Sequence, residues 1–244
     1  MALKSVNSLS KFKYCMKLYI GGMYEISSSH GFMCLLKFLT DFRKIRKEIS
    51  KILFPISSKY KLENPGESYQ KYLDFDLWIY ECMLRFYRLN LHNLSHKINI
   101  LDLGTGAGYF PYICRFYGHN VESIDILDNE MYNKIINAFG LRRYGQYIKY
   151  NSSLVTLNRY DFITAFMICF NEHKKTNLWH IIEWETFLAN IKINNLSTNG
   201  QIYLSFNAES LHEPVDKKLL AYFQNRNADI VNSSTVHIKS TYTF

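Results

Sequence analysis

No two cysteines of this 244-residue chain stand in a Cys-x-x-Cys pair. The five present, Cys15, Cys34, Cys82, Cys114 and Cys169, are odd in number and widely spaced, which argues against a zinc ribbon or a dithiol redox motif and predicts reduced, mostly buried thiols. His92 and His96 are four residues apart, but no third ligand type lies near them, so no metal site is expected. No uninterrupted apolar run approaches the ~18 residues that cross a bilayer, and residues 1–30 lack the compact apolar core of a secretory signal. The reading is a cytoplasmic protein without a membrane span. Internal repeats and low-complexity tracts are also missing.

Acidic residues are scarce at one end only. Residues 1–60 hold eleven Lys or Arg against three acids, a balance of +8, while residues 61–244 hold 18 of each. The body is electrically balanced, so any attraction to a polyanion belongs to the N-terminal part. There Leu35, Phe38, Phe42, Ile45, Ile49 and Ile52 recur at steps of three and four, with Lys37, Lys44, Arg46, Lys47 and Lys51 between them. This predicts an amphipathic basic helix that Pro55 ends, because the residue before a proline is pushed out of helical geometry. Its basic face suits solvent, or else a membrane surface, RNA or a partner protein. The expected organisation is a basic helical extension or lid over residues 1–66 and a main domain over 67–244.

Asn64-Pro65-Gly66 reads as a turn, and Ser68 as the cap of a helix carrying Tyr72, Leu73, Asp76, Tyr80, Met83, Leu84, Tyr87 and Leu91. Strands and helices then alternate. Strands are expected at 98–103, 120–126, 146–150, 160–169 and 201–206, helices at 107–117, 128–139 and 181–196. A helix near 215–224 and two β pieces, 229–232 and 235–238, follow. Alternation of this kind predicts an α/β fold, doubly wound around a mostly parallel sheet.

Within it, Ile98-Asn99-Ile100-Leu101-Asp102-Leu103 is an alternating strand that ends in Gly104-Thr105-Gly106-Ala107-Gly108. Glycines let the backbone turn sharply and let a ligand approach main-chain N–H groups, and the positive end of the next helix favours an anionic group. Asp102 adds a carboxylate that disfavours a pyrophosphate and suits a positively charged ligand. Asp125 ends the second strand 21 residues after Gly104, the range in which an acid reaches the hydroxyls of a bound ribose. A nicotinamide fingerprint, Gly-x-Gly-x-x-Gly, fits less well: the third glycine comes one residue early, and Asp102 stands where a pyrophosphate would sit.

Leu101-Asp102-Leu103-Gly104-Thr105-Gly106-Ala107-Gly108 resembles the first motif of the class I S-adenosylmethionine-dependent methyltransferases, and Ser123-Ile124-Asp125-Ile126 resembles that family's second-strand acid. The resemblance covers about residues 68–206. It includes Tyr160–Phe166, similar to the fourth strand, and Leu196–Leu204, where Asn199-Gly200 stands in place of a Pro-Gly turn. It implies the Rossmann-like methyltransferase fold, a seven-stranded sheet, with S-adenosylmethionine as cofactor and no metal. It further implies that Gly104, Gly106 and Gly108 line the methionine portion, that Asp102 meets its amino group, that Asp125 takes the ribose, and that Thr105 and Ile126 also contact the cofactor. Asn151 and Ser152 stand where the family often has an acid for the adenine amine, and Ala165 and Phe166 complete the cofactor set.

Methyl transfer to a hydroxyl needs positioning plus a general base. Cys169-Phe170-Asn171-Glu172-His173 and Leu211-His212-Glu213 follow the fourth and fifth strands, which makes His173 and His212 the candidate bases, and Asn171 and Tyr109 the candidate acceptor contacts. Phe170-Asn171-Glu172-His173 has no proline, unlike methylases of exocyclic base amines, and a Pro-Cys nucleophile for cytosine methylation is also absent. A small metabolite or sugar-type intermediate, methylated on oxygen, is the expected acceptor. RNA docked through residues 37–51, or a non-catalytic binding module, are the alternatives.

Overall fold

The apolar repeat that starts at Leu35 lies inside a 32-residue helix, α2 (Phe32–Glu63), which follows α1 (Ser8–His30) after a one-residue break at Gly31. The computed structural model describes residues 8–63, 68–156, 158–168, 170, 178–206 and 217–244. Phe38, Ile45, Ile49 and Leu53 are fully buried, as their spacing requires. Pro55 does not end the helix, contrary to expectation. Its ring removes one N–H bond and crowds the carbonyl of Lys51, but Lys51 and Pro55 are both exposed, so water can satisfy that carbonyl. Leu53, Ser57 and Tyr60 are buried and hold the helix beyond the proline.

The expected helix from Ser68 is split into a 3-10 stretch, Ser68–Leu73, and α3 (Phe75–Arg88), whose Ile79, Tyr80, Met83, Leu84, Phe86 and Tyr87 are buried. With α4 (Tyr109–Phe116) and α5 (Glu130–Ala138) these helices belong to one compact unit, Met1–Ser95, Ala107–Gly118 and Glu130–Leu141. Its helices are tied by side chains as well as by apolar packing. The Tyr80 hydroxyl donates to the Tyr19 carbonyl at 2.7 Å, and Arg88 grips Glu25 through two bonds of 2.7 Å. Exposed ion pairs of this kind contribute ~0.2–1 kcal/mol each. Each fully buried Leu, Ile or Phe contributes about 1.5–3 kcal/mol, so the apolar faces dominate. Cys82 and Cys114 are buried, Cys15 and Cys34 partly so, and none of the four forms a disulfide among the described residues. None of the described helices is long and apolar enough to cross a membrane.

The second unit, His96–Gly106, His119–Asn129 and Arg142–Phe244, holds the sheet. Its strands are β1 (Asn99–Leu103), β2 (Asn120–Asp125), β3 (Arg143–Gly145), β4 (Tyr160–Ile168), β5 (Leu196–Phe206), β6 (Asp229–Asn232) and β7 (Thr235–Ile238). They lie in the order β3-β2-β1-β4-β5-β7-β6. The pairs from β3 to β5 are parallel, and β7 runs antiparallel to both β5 and β6. This is the mostly parallel seven-stranded sheet anticipated above. The chain steps outward from β1 to β3 and then returns to β4 on the other side, which creates a switch point where ligand crevices open beyond the carboxyl ends of the strands.

The third strand is Arg143–Gly145, three residues ahead of the expected 146–150. Its register explains this: Gly145 pairs with Asp125, the last residue of β2, so no partner strand remains for residues further on. The fifth strand starts earlier than expected, at Leu196, which pairs with Tyr160. Leu101, Leu103, Ile163, Ala165, Ile202 and Leu204 are among the sheet residues that build the core. Trp184, Phe187, Leu188 and Ile191 of α6 (Ile181–Asn194) and Phe223 of α7 (Lys217–Asn225) pack on it.

Candidate cofactor site at the carboxyl ends of the central strands

β1 is flanked by β2 and β4, and its last four residues are buried. The alternation that buries Leu101 and Leu103 also buries Asp102, which is only 3% exposed. A carboxylate in that position needs partners. One is the hydroxyl of Thr164, its neighbour in register on β4, which donates to Oδ1 of Asp102 at 2.7 Å and is itself fully buried.

The turn begins with Gly104, whose N–H donates to the Ile124 carbonyl at 2.8 Å and so extends the β1–β2 ladder by one bond. Gly104 has φ +67°, and a Cβ there would stand 3.0 Å from Cδ1 and 3.3 Å from Cγ1 of Ile168. Both the conformation and the close approach call for glycine. Gly106 also has positive φ, +55°. Between them the Thr105 hydroxyl is buried and has no hydrogen-bond partner among the described residues.

Asp125 faces this turn directly. Its Oδ2 accepts the Gly106 N–H at 2.6 Å and its Oδ1 accepts the Ile126 N–H at 2.8 Å. Burial pushes its carboxyl above the ordinary aspartate value; the two backbone donors and the Arg143 guanidinium pull it back, and Asp128 pushes it up slightly. The acid thus fixes the turn while its remaining lone pairs are free for further donors. Beyond it, Gln146 donates its N–H to the Asp125 carbonyl at 3.0 Å. The Gln146 side chain donates to the Ser153 carbonyl at 2.8 Å and accepts the Val155 N–H at 2.7 Å. This staples the loop that carries Asn151 and Ser152 to the end of β2. Leu127 is 54% exposed and lies over Gly145, where a Cβ would come within 2.5 Å of its side chain.

On β4, Ala165 pairs with Leu103 and is fully buried in the core, so its backbone alone can face a ligand. Phe166 is partly buried and its ring meets Tyr203 at 5.8 Å. A bulge follows between Phe166 and Ile168, and Met167 there has φ +57° with 52% exposure. Left-handed geometry at a side chain of this size costs about 1–3 kcal/mol and is common at functional sites.

The fold therefore brings Asp102, Gly104, Thr105, Gly106, Asp125 and Ile126 together, with Ala165 and Phe166 on the adjoining strand and Asn151 and Ser152 on an anchored loop. Gly108 and Tyr109 belong to the first unit. Gly108 has φ +77°, which favours glycine, and a Cβ there would also crowd the side-chain ends of Ile136 at 2.4 Å and Leu141 at 3.0 Å. Tyr109 is 3% exposed, packs on Phe139 and donates its hydroxyl to the Tyr72 carbonyl at 2.7 Å. His173, His212 and Asn171 lie outside the described residues. Thr164, Gln146, Ile168 and Met167 were not singled out from sequence. Their roles depend on strand register, which has no local signature.

No protein-family model matches the chain, and no curated protein matches it. Solved structures do show likeness of fold. A TehB-like SAM-dependent methyltransferase from Corynebacterium glutamicum is 19% identical, covering 62% of this chain and 83% of that one, with a TM-score of 0.43. A ribosomal protein L11 methylase from Lactobacillus delbrueckii is 16% identical, covering 67% and 79%, with a TM-score of 0.39. The 1,6-didemethyltoxoflavin-N1-methyltransferase of Burkholderia thailandensis is 15% identical, covering 79% and 90%, with a TM-score of 0.44.

Proposed function

We propose that this chain is an S-adenosylmethionine-dependent methyltransferase. The reading rests on one arrangement: a buried carboxylate, Asp102, and a partly buried one, Asp125, held on either side of a glycine turn at the switch point of the sheet. The donor set suits this cofactor. Asp102 offers a carboxylate to an ammonium, Asp125 offers acceptor positions to a pair of ribose hydroxyls, and the Thr105 hydroxyl is a buried group in need of a partner. Ile126 and the exposed Leu127 add apolar surface beside Asp125 for a flat ring.

S-adenosylmethionine, when bound, supplies a methyl group already activated by its sulfonium. The chain's contribution is then position. Thr164 fixes the direction of Asp102, and the Gly106 and Ile126 N–H groups fix Asp125. Groups held before the ligand arrives spare the complex the entropy of ordering them, which favours binding; holding the donor against the acceptor in near-attack geometry then supplies most of the effect in an in-line displacement. We read the acceptor as a small, neutral or weakly charged hydroxyl compound of metabolite or sugar type. The balanced charge of residues 61–244 supports this, and so does the lack of proline after Phe170. His173 or His212 would take the hydroxyl proton, and Asn171 would orient the acceptor.

Titration calorimetry with S-adenosylmethionine and with S-adenosylhomocysteine tests the cofactor reading. Micromolar binding of both is expected. Binding of neither would overturn it, and transfer of labelled methyl to RNA but to no small hydroxyl compound would overturn the acceptor reading.

A further inference from the structure

Seven of the fifteen large apolar side chains exposed among the described residues are on α1 and α2: Met16, Ile20, Tyr24, Phe32, Met33, Leu36 and Phe54. Helical spacing puts them with cations. On α1, Met16, Ile20 and Tyr24 share an exposed face with Lys13 and Lys17. On α2, Met33, Leu36, Thr40, Lys44, Lys47, Lys51 and Phe54 follow one another at steps of three and four, and every one is exposed. The face runs ~32 Å along the helix. Phe38, Ile45, Ile49 and Leu53 are buried, so the exposed stripe is additional to the face that holds the fold. Lys44, Lys47 and Lys51 make no ion pair among the described residues, whereas Lys37 and Arg46 are engaged by Asp41 and Asp76.

We propose that this face docks on an anionic lipid surface, lying in the plane of the membrane with Phe32, Met33 and their apolar neighbours set among the acyl chains. Charge complementarity selects the occupant. A second copy of the face would bring Lys44, Lys47 and Lys51 against their own like charges. RNA would pair with the lysines but gain little from the aliphatic Met33 and Leu36, because strand binding relies on aromatic stacking. Met33, Leu36 and Phe54 make the ends of the stripe apolar and Lys44, Lys47 and Lys51 make its middle cationic, so the lysines can meet anionic headgroups while the apolar ends enter the boundary with the acyl chains. The docking face is independent of the proposed methyl transfer.

Co-sedimentation of the full chain with vesicles tests this. Binding is expected to phosphatidylcholine vesicles that contain phosphatidylglycerol, with little binding to phosphatidylcholine alone and loss at high salt. Each lysine near such a surface contributes about 1 kcal/mol, about fivefold, so Lys44→Gln/Lys47→Gln/Lys51→Gln should weaken binding about 100-fold. Phe32→Ser/Met33→Ser should weaken it at every salt concentration. All five side chains are exposed, and unchanged thermal melts will show that the fold is kept. No sedimentation with the anionic vesicles, equal sedimentation with neutral ones, or indifference to both sets of substitutions would overturn the proposal. So would tighter binding to single-stranded RNA that survives Phe32→Ser/Met33→Ser.

Discussion

Replacing Asp125 by Asn separates what this acid does for the ligand from what it does for the fold. The carboxylate accepts two backbone N–H bonds, from Gly106 at 2.6 Å and from Ile126 at 2.8 Å, and in the proposed complex it also accepts the ribose hydroxyls. Asn keeps one oxygen acceptor and loses the charge. A hydrogen bond to a charged group is worth about 1.5–3 kcal/mol, so loss of one such bond should weaken S-adenosylmethionine binding by about 10- to 150-fold. Asp125→Ala removes every acceptor and should weaken it further.

The cost to stability is expected to be much smaller. Burial raises the Asp125 carboxyl above its ordinary value despite the N–H donors and Arg143. For an acid whose pKa is higher in the folded state, ionisation disfavours folding, and stability falls as pH rises through the folded value. A neutral Asn is therefore relieved of a charge that the fold does not favour at neutral pH, and this offsets the loss of one turn bond. The expected outcome is a chain that melts within a few degrees of the parent and binds cofactor at least tenfold more weakly. Calorimetric titration and thermal melts on the same samples read both quantities. Unchanged affinity would falsify the ribose assignment; affinity and stability lost together would mean that Asp125 acts on the cofactor only by holding the turn.

Gly104→Ala should cost about 2–4 kcal/mol in denaturant melts, from the left-handed φ and from crowding against Ile168. Ile168→Ala in the same chain should recover only the crowding part, and strictly additive effects would show that the two residues do not meet. Thr164→Val should destabilise by about 1.5–3 kcal/mol by stripping a donor from buried Asp102 and should weaken cofactor binding; Thr164→Ser should restore binding, and failure to do so would show that the hydroxyl is not the operative group. Burial holds His92 and His237 at about 4, below the ordinary 6.5, with His30 and Lys37 assisting at the first and Lys239 at the second. The unfolded chain binds more protons between those values, so stability should fall as pH drops through that window. His92→Gln/His237→Gln should flatten the decline in denaturant midpoints, and an unchanged slope would show that other groups cause it.

What was legible in the sequence had local causes. The β1 strand and its turn could be read because the alternation, the acid and the glycines each act within a few residues of where they stand. The tail hairpin, 229–232 and 235–238, was placed for the same reason. β3 departs from the expected 146–150 because its position depends on where β2 stops, and the letters of residues 143–150 do not contain that information. Pro55 misled in the opposite way. Its local effect on the backbone is real, but burial of Leu53, Ser57 and Tyr60 outweighs it.

The same division runs through the candidate site. The letters from Leu101 to Gly108 supply a strand, an acid and a turn, but Asp102 is directed by Thr164, 62 residues away. Ile168 closes on Gly104 from the same distant strand, and Gln146 anchors the loop beyond Asp125. These partners are ordinary residue types, and only the parallel register of β2, β1 and β4 gives them their positions. A chain that kept residues 101–108 unchanged and carried Val at 164 and Ala at 146 would still display the motif. It would lack the hydroxyl that directs Asp102 and the side-chain bonds that hold the loop, so the motif is not sufficient for this site.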